Sequence, residues 1–534
     1  YANDCATRET STDDQGDNKV FRRTSWTYDA DSRYLIEQKN LAFIEQQYAG
    51  FNALGQPTQI TDVNGNVTDI RYDNFGQEYF RRTPAIGTFS YSNIYWCENS
   101  NSCPTNATYY SEITSADNVI EQQFFDRSGN VVKASKNGFD GTNINTLFQY
   151  DNFARATHTS VAHVANTATS GITWLENHYD IFGRAVQSIN SSGAITNIHY
   201  NNNEVWQEIR TNHNGYSLTR DRYEYFNALG ESVAVKDGLT NTIYYSFDAM
   251  GKLDIVTGVD GVEIDANHDA YGRRTSLNDP DKGYWQYQYN GLGEQILSIA
   301  PDGVRTYDHL DNIGRVYSRL TKTSSLATID STSFSYVAHQ LKTERLGTVS
   351  KVYGYDTQGR ISDVTHTIDG TSYIERTTYD QFGRLFQQFD ADQSNGLLNR
   401  RGLRYHYQNG YVSKQQEARE GTNGVYYYQV DHIDALGNIT DYRQGQNEIA
   451  ISKVFDDATG QLISVNSDMG MIQSLEYKFD GLGNLRTRQD NINEFMGTTE
   501  LQLEEFGYDE LNRLDTVSLN GYSTLSIDYT VAGN

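Results

Sequence analysis

One short phrase recurs along this chain, and over one block its spacing is fixed at 21 residues. It reads aromatic or large residue, Asp or Asn, two variable residues, Gly. Consecutive copies begin at Phe226, Phe247, His268, Tyr289 and Leu310. Others begin at Phe51, Tyr72, Phe125, Tyr150, Tyr179, Tyr200, Tyr355, Tyr379, Ile433, Phe455, Phe479, Tyr508 and Tyr529, and Tyr28 opens a degenerate one. The length of 534 residues would by itself suggest about three or four domains. A continuous repeat takes precedence over that estimate, because each unit must bury its apolar face against its neighbours.

The chemistry of the phrase identifies a turn. A short acidic or amide side chain caps the first position of a type I turn, and Gly accepts the positive φ of the last. Asp73 with Gly76, Asp180 with Gly183, Asp248 with Gly251, Asp380 with Gly383 and Asp480 with Gly483 all fit. The residue before the Gly is large and apolar at Leu54, Phe75, Phe182, Leu229, Met250, Leu292, Phe382 and Leu482. Such residues are expected to pack each turn against the next repeat. A second turn falls in mid-repeat, as in "VNGN" at Val63, "SSGA" at Ser191, "VDGV" at Val259 and "PDGV" at Pro301. Two turns leave two strands of roughly six residues, the commonest strand length. One repeat is therefore one β-hairpin. The fold class is all-β: tandem hairpins in a long antiparallel sheet that closes on itself or spirals, since a twisted sheet of this many strands does not stay flat and open.

Composition agrees with strands and tight turns. The chain has 40 Tyr, 22 Phe and 44 Gly but only 5 Pro. Hydrophobic residues are 37%, too few for a thick core. The net charge of -26 argues against nucleic acid and anionic membrane surfaces as partners. No apolar run is long enough for a transmembrane helix. The polar start carries no signal-peptide pattern and lacks Met, so the sequence reads as a fragment whose location is not legible. Cys97 and Cys103 are placed for a small local disulfide, Cys5 is left over, and two cysteines without a nearby His make no zinc site.

The period breaks near 86–120, 317–350 and 386–430. "TKTSSLATIDSTS" in the second break reads as a polar loop, and Asn409-Gly410 in the third as a two-residue hairpin turn. No linker divides the chain, so residues 1–27 read as a lead-in and 28–534 as one domain. Tyr529 opens a further copy of the phrase without its second strand, so the polypeptide is expected to continue.

"YDNFGQ", "YDIFGRAV", "FDAMGKL", "YDQFGRL" and "YDELNRL" resemble the tyrosine-aspartate repeats of the RHS family, over residues 28–534 with short breaks. The resemblance implies repeats spiralling into a hollow β-shell. In bacterial members (polymorphic toxins and the C-type component of insecticidal toxin complexes) the shell encloses a C-terminal toxin. In the animal teneurins a similar barrel serves adhesion. The expected partners are an enclosed C-terminal toxin or effector and other subunits of a toxin or secretion complex, in a protein secreted or delivered by bacteria. The bacterial shells end in a self-cleaving segment with paired Asp-Pro-x-Gly motifs. Here Asp279-Pro280 has its Gly one place too late, at Gly283.

Other chemistry is sparse. Asp62, Asn64, Asn66 and Asp69 alternate oxygen ligands, but Gly65 sits where the repeat turn requires it and not where a calcium loop does. His309 and His432 lie beside carboxylates at strand ends. No cofactor, metal site or catalytic residue is expected. The leading function is a structural toxin shell, with a glycan- or receptor-binding repeat module and a polysaccharide-active β-solenoid as rivals.

Overall fold

The computed structural model describes residues 4–12, 19–40, 43–84, 87–99, 103–115, 117–393, 401–419, 422–446, 448–492, 502–530 and 533. Among these, 45 strands form one sheet. Nearly every strand pairs antiparallel with the strands before and after it in sequence, as Val67–Tyr72 does with Pro57–Asp62 and Glu78–Thr83. Among the described residues the complete helical segments are single turns, such as Cys97–Asn99, Thr169–Gly171 and Asp468–Gly470.

Each repeat is a hairpin, so the wall has two rims. The turns of the recurring phrase line one, here called the anchor rim, and the mid-repeat turns line the other. At most anchors the register slips by one residue, as between Arg71 and Tyr72, His178 and Tyr179, and Thr378 and Tyr379, though not at Phe51 or Tyr200. This recurring bulge adds local twist, and twist repeated from hairpin to hairpin makes the sheet wind up.

The winding brings distant residues together. Hydrogen bonds join residues 265 to 292 apart, which is the length of one revolution. The mid-repeat rim of the first revolution, from Phe43 to Arg220, meets the anchor rim of the second, from Arg315 to Asp509. Turn contacts and not strand ladders hold this seam.

The wall is thin. The surface measures 31317 Å², whereas a solid globule of 60.5 kDa would expose about 19,500 Å² by the usual scaling of area with mass. Burial is scattered, and much of it lies at the seam: Asn66, Phe139, Ile144, Ala194, Thr211 and Asp480 are all buried.

Three readings change. The broken stretches do not interrupt the sheet: Thr88–Trp96 pairs with Tyr109–Ser115, and the stretch read as a polar loop lies mostly in the strands Val316–Lys322 and Thr328–Val337, joined by a short turn. The period is lost there because the hairpins lengthen, and antiparallel pairing tolerates that. Residues 1–27, read as a lead-in, contribute the strand Asp4–Thr12 and most of Lys19–Tyr28 to the same ladder. The apolar residue before the Gly reaches the next repeat only at some turns, as Leu54 does at Gly76 and Leu436 at Gly460. Leu54, Phe75, Phe182, Leu229 and Met250 are exposed on the first revolution, whereas Phe382 and Leu482 on the second are half-buried.

Candidate functional site

The anchor turn is the unit from which the wall is built. Asp73 Oδ1 accepts the amides of Phe75 at 2.8 Å and Gln77 at 2.9 Å. Asp180 does the same for Phe182 and Arg184, Asp248 for Met250 and Lys252, Asp380 for Phe382 and Arg384, and Asp480 for Leu482 and Asn484. The carbonyl of each Asp accepts the amide of the Gly three residues on. Gly76, Gly183, Gly251, Gly383 and Gly483 have φ of 82°, 84°, 73°, 79° and 91°, the left-handed region where a Cβ is strained. These residues form five separate turns spread along the wall, not one cluster.

A second set of residues, not singled out in the sequence, locks consecutive repeats together. Arg184 Nε donates to Asp180 Oδ2 at 2.8 Å, and its guanidinium lies 4.2 Å from the centre of the next anchor ring, Tyr200. The Tyr200 hydroxyl donates back to the carbonyl of Ala185 at 2.9 Å. The same interlock joins Asp356, Arg360 and Tyr379, then Asp380, Arg384 and Tyr407, then Asp509, Arg513 and Tyr529. A carboxylate holds the guanidinium flat, the guanidinium covers a ring, and the ring's hydroxyl satisfies a backbone carbonyl. The signal was present: Arg directly follows Gly at 184, 273, 315, 360 and 384. Where Gly is absent, Ala154 and Asn512 adopt φ of 60° and 68°, and Arg155 and Arg513 still complete the pairing.

The electrostatics follow. The side-chain hydrogen bond from Arg155 holds the Asp151 carboxyl below the ordinary range, and Arg273 does the same for Asp269. Burial pushes Asp480 up, but hydrogen bonds from Asn484 and Leu482 and the charge of Arg486 outweigh it, so its carboxyl is also lowered.

At the seam, Arg384 Nη1 pairs with Asp117 at 2.7 Å. Ser192 Oγ donates to the Gly481 carbonyl at 3.0 Å, Asn214 Nδ2 to Phe479 at 2.9 Å, and Asn409 Nδ2 to Phe139 at 2.9 Å. Asn409 and Gly410 form the two-residue turn between Gln408 and Tyr411. A cavity of about 330 Å³ opens on the seam between His163, Asp140 and the turn from His432 to Leu436.

The remaining candidates have structural partners. Asp62 caps its turn through the amides of Asn64 and Asn66, and Asp69 bonds Gln59. Asp279 caps the turn that contains Pro280. The His432 ring bonds the Thr440 hydroxyl, and His309 lies against Tyr317. Among the described residues no group of three His, Cys, Asp or Glu side chains is arranged to hold a metal. Cys97 and Cys103 are bonded to each other. Tyr95, Tyr110 and Phe124 stack as one cross-strand ladder, and Trp96, Tyr109 and Phe125 pack as another. No helix among the described residues is long and apolar enough to cross a membrane.

No family profile matches the sequence, and no curated protein sequence matches it. The fold does have solved neighbours. A chain of the Photorhabdus luminescens Tc holotoxin pore superposes with a TM-score of 0.78 at 12% identity, over 96% of this chain and 33% of that one. TcdB2-TccC3 without its hypervariable C-terminal region gives 0.79 at 13% identity, again over 96% and 33%. TcdB2-TccC3-Cdc42 gives 0.76 at 12%. The chain has the fold of these Tc toxin components. It spans about a third of the length of the chains it matches.

Proposed function

We propose that this chain is a wall segment of an RHS-type toxin shell, a container that encloses a toxic polypeptide and shields it until delivery outside the producing bacterium. One observation carries the reading: a continuous single-layer sheet is wound back on itself and sealed turn against turn, with far more surface than a solid protein of its mass. Such a wall encloses space without a packed core. The likeness to Tc toxin components adds support, since one neighbour is a form that lacks its hypervariable C-terminal region and the assemblies contain more than one component. The partners proposed here are likewise an enclosed effector and further subunits of a toxin complex. On this reading the turn residues, from Asp73 and Gly76 to Asp480 and Gly483, build the wall and perform no chemistry, and 28–534 act as one domain together with the strands that precede them.

Protease protection of the natural assembly tests the proposal. A cargo inside the wall stays intact under a protease that digests the same cargo once mild denaturant has opened the shell. A cargo cut equally fast before and after opening refutes the container.

A further inference from the structure

One hairpin of the first revolution departs from the others at its mid-repeat turn. Most such turns are short, as between Asp62 and Asn66 or between Asn190 and Ala194. Between the strands Ala156–Ser160 and Trp174–Tyr179 the chain instead runs as a loop from Val161 to Thr173. The loop lays His163 and Val164 against Asn145 and Ile144 as an added rung, then turns through Thr169–Gly171. It lines one side of the seam, and the anchor turn from His432 to Leu436 on the second revolution lines the other. The space between them is the cavity of about 330 Å³. Both walls belong to the internal seam and not to either free rim. Insertions into a repeat array are where binding loops sit, because the rigid wall positions them.

The lining sets the chemistry of the guest. It carries three carboxylates, Asp140, Asp434 and Asp457, and among the described residues no Lys or Arg. Asp434 is engaged in its own turn, through the amides of Leu436 and Asn438. Asp140 uses Oδ1 alone, which accepts the amide and hydroxyl of Thr142. Those bonds hold its carboxyl below the ordinary range. Asp457 caps nothing, because Asp456 beside it takes that role through Ala458 and Thr459. His163 Nδ1 donates to the Val161 carbonyl at 2.9 Å, which leaves Nε2 as an acceptor. Ile144, Val161, Val164 and Leu436 supply apolar surface. Charged acceptors without a basic partner beside an apolar wall suit a guest with hydrogens to donate at one end and carbon at the other. We infer that the cavity binds a small organic cation, an ammonium on an apolar body, with Asp140 and Asp457 taking the ammonium protons and the aliphatic side chains covering the body. The space holds about ten water-sized groups, which suits a small primary amine. The inference rests on the cavity and is independent of any cargo.

Ligand-observed NMR titration of the whole chain tests it. The probe is phenethylamine, with phenethyl alcohol and phenylacetate as its neutral and anionic counterparts. Salt at about 0.15 M screens the general attraction of an acidic protein for cations. The amine should saturate one site and bind about tenfold or more tightly than the alcohol, since a charged hydrogen bond outweighs a neutral one. Phenylacetate should not bind. Asp457→Asn should weaken the amine by about tenfold and leave the alcohol unchanged, and Asp457→Glu should restore the amine. Asp457 is exposed and caps no turn, so the thermal midpoint should not move. Val164→Trp, on the loop, should fill the cavity and exclude amine and alcohol alike. An amine that does not saturate, an alcohol or phenylacetate that binds as tightly, or either Asp457→Asn or Val164→Trp binding the amine as wild type does would overturn the inference.

Discussion

Gly87 lies where the two revolutions touch most closely. It sits in a mid-repeat turn with φ of +71°, and a Cβ built there would overlap the backbone carbonyl oxygen of Gln381 on the second revolution. Gly230 is its control. Its φ is +82°, it occupies an anchor turn of the first revolution, and a Cβ there meets nothing within 4 Å. Both Gly→Ala changes place a Cβ in the left-handed region, and the stiffer unfolded chain offsets part of that strain, leaving a net loss of about 1 kcal/mol. Gly87→Ala must also push two backbone segments apart, which adds about 1–3 kcal/mol by analogy with overpacked cores. The expected losses are therefore about 1 kcal/mol for Gly230→Ala and about 2–4 kcal/mol for Gly87→Ala. Urea unfolding followed by circular dichroism reads the difference. Hydrogen exchange at the Phe382 amide reports whether the seam itself has opened. Equal losses for both variants, with unchanged exchange at Phe382, would refute the seam.

Two further outcomes follow from the interlock between repeats. The carboxyls of Asp151, Asp180, Asp269, Asp311, Asp356 and Asp509 all titrate below the ordinary value in the folded wall. A depressed folded value stabilises above the unfolded pKa of about 3.9 and is lost as pH falls through the folded one. The thermal midpoint should thus be insensitive to this group from pH 7 to about pH 5 and fall below about pH 4; a midpoint unchanged down to pH 2 would contradict it. Tyr379→Phe removes the hydroxyl bond to the Ile361 carbonyl but keeps the ring beneath Arg360, so it should cost about 0.5–1.5 kcal/mol, and Tyr379→Leu should cost measurably more in the same melt.

Much of the wall was legible because its grammar is local. Asp180 and Gly183 make the same turn as Asp380 and Gly383, through bonds that span four residues. The seam was not legible, because it depends on curvature accumulated over 265 to 292 residues. That is why one local pattern yields an exposed Phe182 on the first revolution and a half-buried Phe382 on the second. The broken stretches misled for a related reason. Spacing counts residues, whereas a ladder counts pairs, and the ten-residue strand Thr328–Val337 disturbs the spacing without disturbing the ladder. The arginines were visible but unweighted, since a charge after a turn usually faces solvent. Their role appears only once the next repeat's ring is in place, as Tyr200 is for Arg184.

The central claim is a hollow wall wound from one sheet, and small-angle X-ray scattering tests it most directly. A solid globule of 534 residues has a radius of gyration of about 24 Å. A single-layer shell carries its mass at the periphery. The monomer fraction should therefore show a radius of gyration clearly above about 24 Å, with a pair-distance distribution skewed to long distances. A radius near about 24 Å with a symmetric distribution would mean a filled interior and contradict the account.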